Sequence, residues 1–148
     1  MTEDDTKQQF GLTEEQLDSL PTAYRQDLFA GKVVLVSGAG SGIGKATAWL
    51  YARLGARVAI CGRTLEKLER TAAGLERLGA EVLVFPMNIR DPDQVTALMD
   101  AVWERFGGLD VLINNAGGQF AQNAIDFSPK GWNAVIDTNL NGTWYMMQ

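Results

Sequence analysis

Short, continuously apolar runs alternate with longer amphipathic segments from residue 32 onward, and this alternation constrains the fold more than any other feature. The apolar runs are residues 33–36, 58–60, 82–85 and 111–113. Strands that are buried on both faces have this composition, because helices cover each face of a parallel sheet. The sequence therefore predicts an α/β protein with a Rossmann-type, doubly wound parallel sheet of about four strands.

The segments between the apolar runs are predicted to be helices, because they have apolar residues at helical spacing and residues that favour helix ends. The first predicted helix has its apolar stripe at Ile43, Ala46, Leu50 and Leu54. The next begins at Thr64, the third at Asp91-Pro92, and the last at Ser128-Pro129. The last helix would bury Trp132, Val135, Ile136, Leu140, Thr143 and Met147. Its pattern reaches residue 148 without a C-cap, so we expect residues 31–148 to be the N-terminal part of a larger domain; a small four-strand domain is the alternative.

Residues 1–30 differ from the rest of the chain in charge. They contain seven acids and two bases, whereas residues 31–148 contain eleven of each. We interpret them as an acidic N-terminal extension. Thr13 and Gln16 form a capping-box pattern, and Leu17 and Leu20 could give a short helix an apolar edge. The composition favours a solvated, flexible arm over that helix.

The composition excludes several kinds of site and partner. The chain has no histidine and a single cysteine, Cys61, so it can build neither a Ser-His-Asp site nor a zinc site, and we expect no metal. The body has no basic stripe for nucleic acid and no apolar run long enough for a membrane span. The acidic start does not resemble a secretory signal, which predicts a cytoplasmic protein.

A glycine-rich segment, Ser-Gly-Ala-Gly-Ser-Gly-Ile-Gly at residues 37–44, joins the first run to the first predicted helix. Glycines allow a tight turn and a close backbone approach, and a helix N-terminus offers free N–H groups to an anion. The spacing is Gly-x-x-x-Gly-x-Gly, which is neither the Gly-x-Gly-x-x-Gly pattern nor a P-loop. The segment predicts a site for a pyrophosphate.

The second run ends at Cys61-Gly62-Arg63, where an NAD site would be expected to have an acidic residue for the ribose hydroxyls. The nearest acid is Glu66. The planar guanidinium of Arg63 has several N–H donors that suit a 2′-phosphate. The helix dipole disfavours a cation at the start of a helix unless an anion is bound beside it. The alternative is that Arg63 is a surface residue that binds no ligand. The absence of an acidic residue at the end of the second run also disfavours a methyltransferase.

Two asparagine-containing segments complete the candidate site. Asn114-Asn115-Ala116-Gly117-Gly118 follows the fourth run at the sheet edge where open parallel sheets bind ligands, although such a segment can also be a simple turn. Asn139 falls within the apolar stripe of the last helix, where an amide needs hydrogen bonds. A core asparagine and a catalytic residue are equally compatible with that position.

Together these motifs resemble the short-chain dehydrogenase/reductase family over residues 31–148. The resemblance implies a Rossmann fold, a nicotinamide cofactor and hydride transfer. It implies that the following residues contact the cofactor: Gly38, Ser41, Gly42, Ile43, Gly44, Arg63, Asn88, Ile89, Asn115, Ala116 and Gly117. Asn88 stands where the family has an aspartate. Asn139 matches the family's catalytic asparagine, which holds a water of the proton relay.

The resemblance also implies what the chain acts on. Arg63 matches the basic residue of members that prefer NADP(H) to NAD(H). The substrate would be a carbonyl, alcohol or 2-enoyl-CoA compound, since residues 88–91, 117–120 and 130–132 resemble the peroxisomal trans-2-enoyl-CoA reductase branch and bacterial citronellol/citronellal-type dehydrogenases. The full-length protein would form a tetramer or dimer. The family's catalytic serine and Tyr-x-x-x-Lys pair do not occur in residues 1–148, so we expect this chain alone to be inactive. The alternative is that the protein is a non-catalytic NADP(H) sensor of the same fold.

Overall fold

A four-stranded parallel sheet with helices on both faces organises residues 11–148, which the computed structural model describes. In chain order the strands and helices are α1 (Glu14–Ser19), β1 (Val33–Ser37), α2 (Gly42–Arg53), β2 (Arg57–Gly62), α3 (Leu65–Arg77), β3 (Val82–Pro86), α4 (Pro92–Phe106), β4 (Val111–Ile113), α5 (Pro129–Ile136) and α6 (Gly142–Met147). A 3₁₀ turn spans Ala124–Asp126, and a π-helical turn, Asp137–Asn141, joins α5 to α6.

The strand order is β3-β2-β1-β4, and every pair is parallel. The chain builds outward from β1 through β2 and β3, and then crosses back to place β4 on the other side of β1. The predicted doubly wound sheet is therefore confirmed. The reversal puts a crevice at the carboxyl ends of β1 and β4, where open α/β sheets bind ligands.

Side chains of β1 alternate between two separate hydrophobic cores. Val34 and Val36 pack with α2 and α3 on one face, while Val33 and Leu35 pack with α4 and α6 on the other. All four are almost completely buried. This double coverage explains why the run lacks polar residues.

The helix ends follow the predicted signals. The Asp91 side chain accepts hydrogen bonds from the backbone N–H groups of Asp93 and Gln94, and Pro92 begins α4. Gly107 ends that helix with a φ of 79°, a left-handed conformation that favours glycine. Ser128 caps α5 in the same way as Asp91 caps α4.

The solvated-arm interpretation of the N-terminal segment is wrong for residues 13–19. Thr13 and Gln16 form the complete capping box, and α1 follows it. Leu17 is 5% exposed and joins the core beneath α2. The buried Trp49 indole donates a hydrogen bond to Asp18 at 2.7 Å. These contacts offset the acidic composition that favoured a flexible arm.

Electrostatic contacts also hold α1 in place. The Glu14 carboxylate accepts from Lys45 on α2 at 2.8 Å and from Arg77 on α3 at 2.6 Å. The Lys45 hydrogen bond, followed by the Arg77 hydrogen bond, lowers the pKa of Glu14 below its usual value. One acidic side chain thus links α1 to both helices on this face of the sheet.

Two predicted apolar stripes are only partly right. In the first, Leu54 is 2% exposed as predicted, but Ile43 is 79% exposed, and the buried residues of α2 are Gly44, Ala48, Trp49 and Ala52. In the last helix, the predicted residues Val135, Ile136 and Thr143 are half-buried, whereas Trp132, Leu140 and Met147 are exposed, and Gly142 and Met146 are buried. The π-helical turn adds a residue to one turn, so a uniform 3.6-residue period misassigns the inner face of the residues that follow it.

Within residues 11–148, none of the helices combines the length and hydropathy that a transmembrane segment needs.

A test of this packing is Gly74→Ala in α3. Helix propensity alone predicts that alanine stabilises the chain by about 1 kcal/mol. A methyl group at Gly74 would, however, overlap the ring of Trp49, which is fully buried and cannot move aside. We expect a net loss of about 2 kcal/mol in the free energy of unfolding, measured by urea denaturation.

The control is Ala73→Gly, at the exposed neighbouring position of the same helix. It should lose about 1 kcal/mol through propensity alone. A Gly74→Ala chain that is more stable than the original would contradict the close contact between α3 and Trp49.

Candidate functional site

A cavity of about 590 Å³ lies at the carboxyl ends of the strands, in the crevice between β1 and β4. Ten of the predicted site residues line it: Gly38, Ser41, Ile43, Gly44, Arg63, Asn88, Ile89, Asn115, Ala116 and Gly117. Gly42 and Asn139 are not among the lining residues. The fold therefore brings most of the separate sequence motifs to one place.

The glycine turn packs against the loop after β4 so closely that side chains are excluded. Gly38 has a φ of +69°, and a methyl group there would lie 2.9 Å from Nδ2 of Asn115 and 3.0 Å from Cα of Ala116. A methyl group at Gly44 would overlap both the Gly38 carbonyl and the Asn115 amide. These two glycines are needed because backbone and amide already fill the space of a Cβ.

The start of α2 leaves space in which a ligand could bind. Gly42 adopts a φ of +56°, and no atom of residues 11–148 lies within 4 Å of the position that a Cβ would take there. Ser41 is the N-cap residue, but its side chain makes no capping hydrogen bond. The first N–H groups of α2 lack that usual partner, and the helix dipole favours an anion beside them.

A serine hydroxyl fastens the glycine turn to the loop after β4. Ser37 Oγ accepts hydrogen bonds from the backbone N–H groups of Asn115 and Ala116, each at 3.0 Å. Asn115 Nδ2 returns a hydrogen bond to the Ser37 carbonyl at 2.9 Å. Ser37 is 1% exposed, so removing its hydroxyl would leave buried donors without partners. Sequence reasoning assigned Ser37 no separate role, although a serine ending a buried strand was a usable signal.

Cys61, at the end of β2, supports the turn from the other side. Its carbonyl accepts from the N–H of Gly38 at 2.8 Å and of Ala39 at 3.3 Å. Its thiol is buried, and this burial raises the pKa of Cys61 to about 12, partly opposed by a hydrogen bond from the Gly38 backbone. The thiol stays protonated at neutral pH, so Cys61 is structural and not a nucleophile.

Among residues 11–148, the charged residues that line the cavity are all cations: Arg63, Lys67 and Arg90. Arg90 pairs with Asp137 at 3.5 Å. In the same part of the chain, Arg63 has no carboxylate within ion-pair distance, and the acid nearest to it in sequence, Glu66, pairs with Arg70. The cavity therefore presents positive charge to a ligand. Sequence reasoning missed Lys67 and Arg90, since spacing alone does not show which surface cations face a crevice.

The loop after β3 forms the opposite wall. The backbone N–H of Asn88 donates to Gln94 at 2.9 Å, and Asn88 Oδ1 accepts from the backbone of Arg90 at 3.2 Å. Ile89 is 5% exposed and packs so closely on α6 that a methyl group at Gly142 would lie 2.8 Å from Ile89 Cγ1. This wall is thus fixed by the core and by its own hydrogen bonds.

Asn139 is exposed, and the expectation that it lies on a buried helix face is wrong. Its Nδ2 donates to the Gly118 carbonyl at 2.7 Å and to the Val135 carbonyl at 2.9 Å, while its Oδ1 accepts from the Gly118 N–H at 3.2 Å. A methyl group at Gly117 would lie 2.6 Å from this Oδ1. Asn139 therefore holds the loop after β4; its catalytic role stays a prediction.

The lining residues suit binding better than proton transfer. In the part of the chain that the structure describes, the lining includes no carboxylate, tyrosine or cysteine. No cluster of potential metal ligands occurs among residues 11–148 either. The site can hold an extended, phosphate-bearing ligand.

Comparison with known proteins identifies relatives of this chain in sequence and in structure. A family model described as short chain dehydrogenase matches residues 32–148. A Caenorhabditis elegans protein named "Probable 2,4-dienoyl-CoA reductase 3" is 43% identical over 121 residues, which cover 80% of this chain and 39% of that protein.

Solved structures agree with this match. A citronellol catabolism dehydrogenase from Pseudomonas aeruginosa superposes with a TM-score of 0.81 at 36% identity, covering 85% of this chain and 52% of that one. L-Sorbose reductase from Gluconobacter frateurii, complexed with NADPH and L-sorbose, gives 0.78 at 28% identity, covering 82% and 47%. The chain spans about half the length of the curated relatives it matches.

Proposed function

The chain belongs to the short-chain dehydrogenase family, and from this premise we propose that the full-length protein is an NADP(H)-dependent oxidoreductase. Its reaction would be hydride transfer between the nicotinamide and a carbonyl, alcohol or 2-enoyl-CoA-type substrate. The observation that carries the choice of cofactor is the charge of the cavity, where Arg63 has no carboxylate partner within residues 11–148 and the lining contains no acid.

The described residues fit a dinucleotide. Gly38 and Gly44 leave no room for side chains at the turn, and the space beside Gly42 is open. The N-terminus of α2, where Ser41 makes no capping hydrogen bond, would then hold the pyrophosphate. The planar guanidinium of Arg63 would hold a 2′-phosphate, for which an acidic residue at this point would be repulsive.

Each part of the chain has a separate task toward the cofactor. The glycine turn and the start of α2 would bind the pyrophosphate, with Ile43 under the nicotinamide half. The loop containing Asn115 and Gly117 would line the adenosine ribose and the floor of the cofactor site. Asn88 and Ile89 would border the adenine. The cofactor, when bound, supplies the hydride, and the protein supplies its position.

The names of two relatives support a substrate class. The Caenorhabditis elegans protein is named as a dienoyl-CoA reductase, and the Pseudomonas aeruginosa structure as a citronellol catabolism dehydrogenase. Both names describe activated or alcohol-bearing carbon chains, and we propose a substrate of this kind.

We propose further that residues 1–148 alone transfer no hydride. Reduction of a carbonyl needs a proton donor within hydrogen-bond reach. The chain has no histidine, and the described lining of the cavity has no tyrosine or carboxylate. Purified residues 1–148 should show no NADPH oxidation with aldehydes or enoyl-CoA, followed at the absorbance of the reduced nicotinamide; turnover would contradict this. A full-length protein that binds NADPH without turnover would instead be a sensor.

Arg63 gives a direct test of the cofactor. NADPH should bind more tightly than NADH by about 2 kcal/mol, or roughly 30-fold, because the 2′-phosphate gains charge-assisted hydrogen bonds. Arg63→Asp should reverse this preference. Isothermal titration with both cofactors measures it.

The matched control is Lys130→Asp, which makes the same change of charge at an exposed position outside the cavity. It should leave the ratio of the two affinities within about twofold of the original, because Lys130 does not line the cavity and a surface charge there would act on both cofactors alike. Equal affinities for NADPH and NADH in the unmutated protein would refute the NADP(H) assignment.

Asn139→Ala tests the second role proposed by the family resemblance. In the full-length protein we expect turnover to fall far more than NADPH affinity, because the resemblance assigns Asn139 to the proton relay and not to cofactor binding. The melting temperature and turnover are measured on one preparation, with the exposed Asn133→Ala as control. If Asn139→Ala lowers the melting temperature and leaves turnover per folded molecule unchanged, Asn139 is only a structural anchor.

A further inference from the structure

We propose that Lys67 is a second 2′-phosphate-binding residue, acting together with Arg63 and held in place by Thr71. This assignment rests on the NADP(H) function proposed above. It deepens that function by assigning cofactor selectivity to two cations from adjacent segments, of which the sequence motifs indicated only Arg63.

Lys67 lies on the side of the cavity next to Arg63. Arg63 directly precedes the N-cap residue of α3, and Lys67 is in the first turn of that helix. Both side chains line the cavity, and both residues are exposed to solvent. They therefore border the same part of the crevice, between the end of β2 and the glycine turn.

The backbone of Lys67 is fixed against the glycine turn. A methyl group at Gly40 would lie 3.0 Å from Cβ of Lys67. The Thr71 hydroxyl, which is fully buried, lies 3.2 Å from the Ala39 carbonyl and 3.1 Å from the Lys67 carbonyl. One hydroxyl thus joins the turn that would bind the pyrophosphate to the helical turn that carries Lys67.

The positive charges of Arg63 and Lys67 favour the binding of an anion. Within residues 11–148, neither Lys67 nor Arg63 has a carboxylate within ion-pair distance, and the intervening acid, Glu66, pairs with Arg70. Cations in the first turn of a helix are disfavoured by the helix dipole. Two neighbouring cations also repel each other, so a dianionic phosphate placed between them would relieve both effects.

The 2′-phosphate fits this pair better than the pyrophosphate does. The pyrophosphate already has its donors in the uncapped N-terminus of α2, next to Ser41. Lys67 and Arg63 belong to a different segment, the end of β2 and the start of α3. A charge at that point distinguishes NADPH from NADH, whereas a charge at the pyrophosphate binds both.

The experiment is isothermal titration of NADPH, NADH and 2′,5′-ADP into the unmutated protein and Lys67→Gln. We expect the dissociation constants for NADPH and 2′,5′-ADP to rise about tenfold, and that for NADH to change by less than about twofold. Lys130→Gln is the control for net charge, since Lys130 is exposed and outside the cavity. It should leave all three constants unchanged.

Thr71 provides a second variant with a conservative rescue. Thr71→Val removes the hydroxyl at nearly constant shape and should weaken NADPH binding more than NADH binding. Thr71→Ser keeps the hydroxyl and should restore the original ratio. A variant that is only less stable would lose affinity for both cofactors in the same proportion, and that result would overturn the positioning role.

The remaining outcomes separate this assignment from the proposed function. An equal loss for NADPH and NADH in Lys67→Gln places Lys67 at the pyrophosphate and overturns its 2′-phosphate role, as does no change for either cofactor. If Arg63→Asp reverses the preference while Lys67→Gln has no effect, the NADP(H) function stands and only the Lys67 assignment fails. If the unmutated protein does not prefer NADPH, both fail.

Discussion

The cavity depends on the close approach of two loops at the carboxyl edge of the sheet. Ser37 Oγ accepts two backbone hydrogen bonds from the loop after β4, and the Asn115 amide occupies the space that side chains at Gly38 and Gly44 would need. The β1–β4 pairing supplies the register for these contacts. Because both partners are fixed by the sheet, the turn is formed before any ligand arrives, which lowers the conformational entropy that binding must overcome.

Most of the fold could be predicted from the sequence because its signals are local and repeat the same unit. Continuously apolar runs identified the four strands, and the caps at Asp91 and Ser128 identified where helices begin. Local patterns were insufficient where long-range contacts decide the outcome. The acidic composition of the N-terminal segment indicated a flexible arm, but Asp18 and Glu14 bind Trp49, Lys45 and Arg77, which lie far along the chain.

The candidate site was predictable to a similar degree, and for the same reason. Glycines between a strand and a helix indicate a tight turn from the local sequence alone, so Gly38 and Gly44 could be predicted as residues of that turn. Lys67 has no such local signal, because its relevance comes from the carbonyl of Ala39 and the buried Thr71 hydroxyl. Asn139 was placed on the wrong face, since the π-helical turn that carries it breaks the regular period.

The loop after β4 is held from two sides, and this arrangement connects the glycine turn to the last helix. Ser37 fixes the loop at Asn115, next to the glycine turn, whereas Asn139 fixes it at Gly118, next to the last helix. The π-helical turn is itself tied to the wall after β3, because Asp137 pairs with Arg90. A change at any of these contacts moves the same short loop. The residues that line the glycine-turn end of the cavity and Asn139 therefore support the same loop, and they do so through hydrogen bonds to its backbone, since Asn139 itself is exposed.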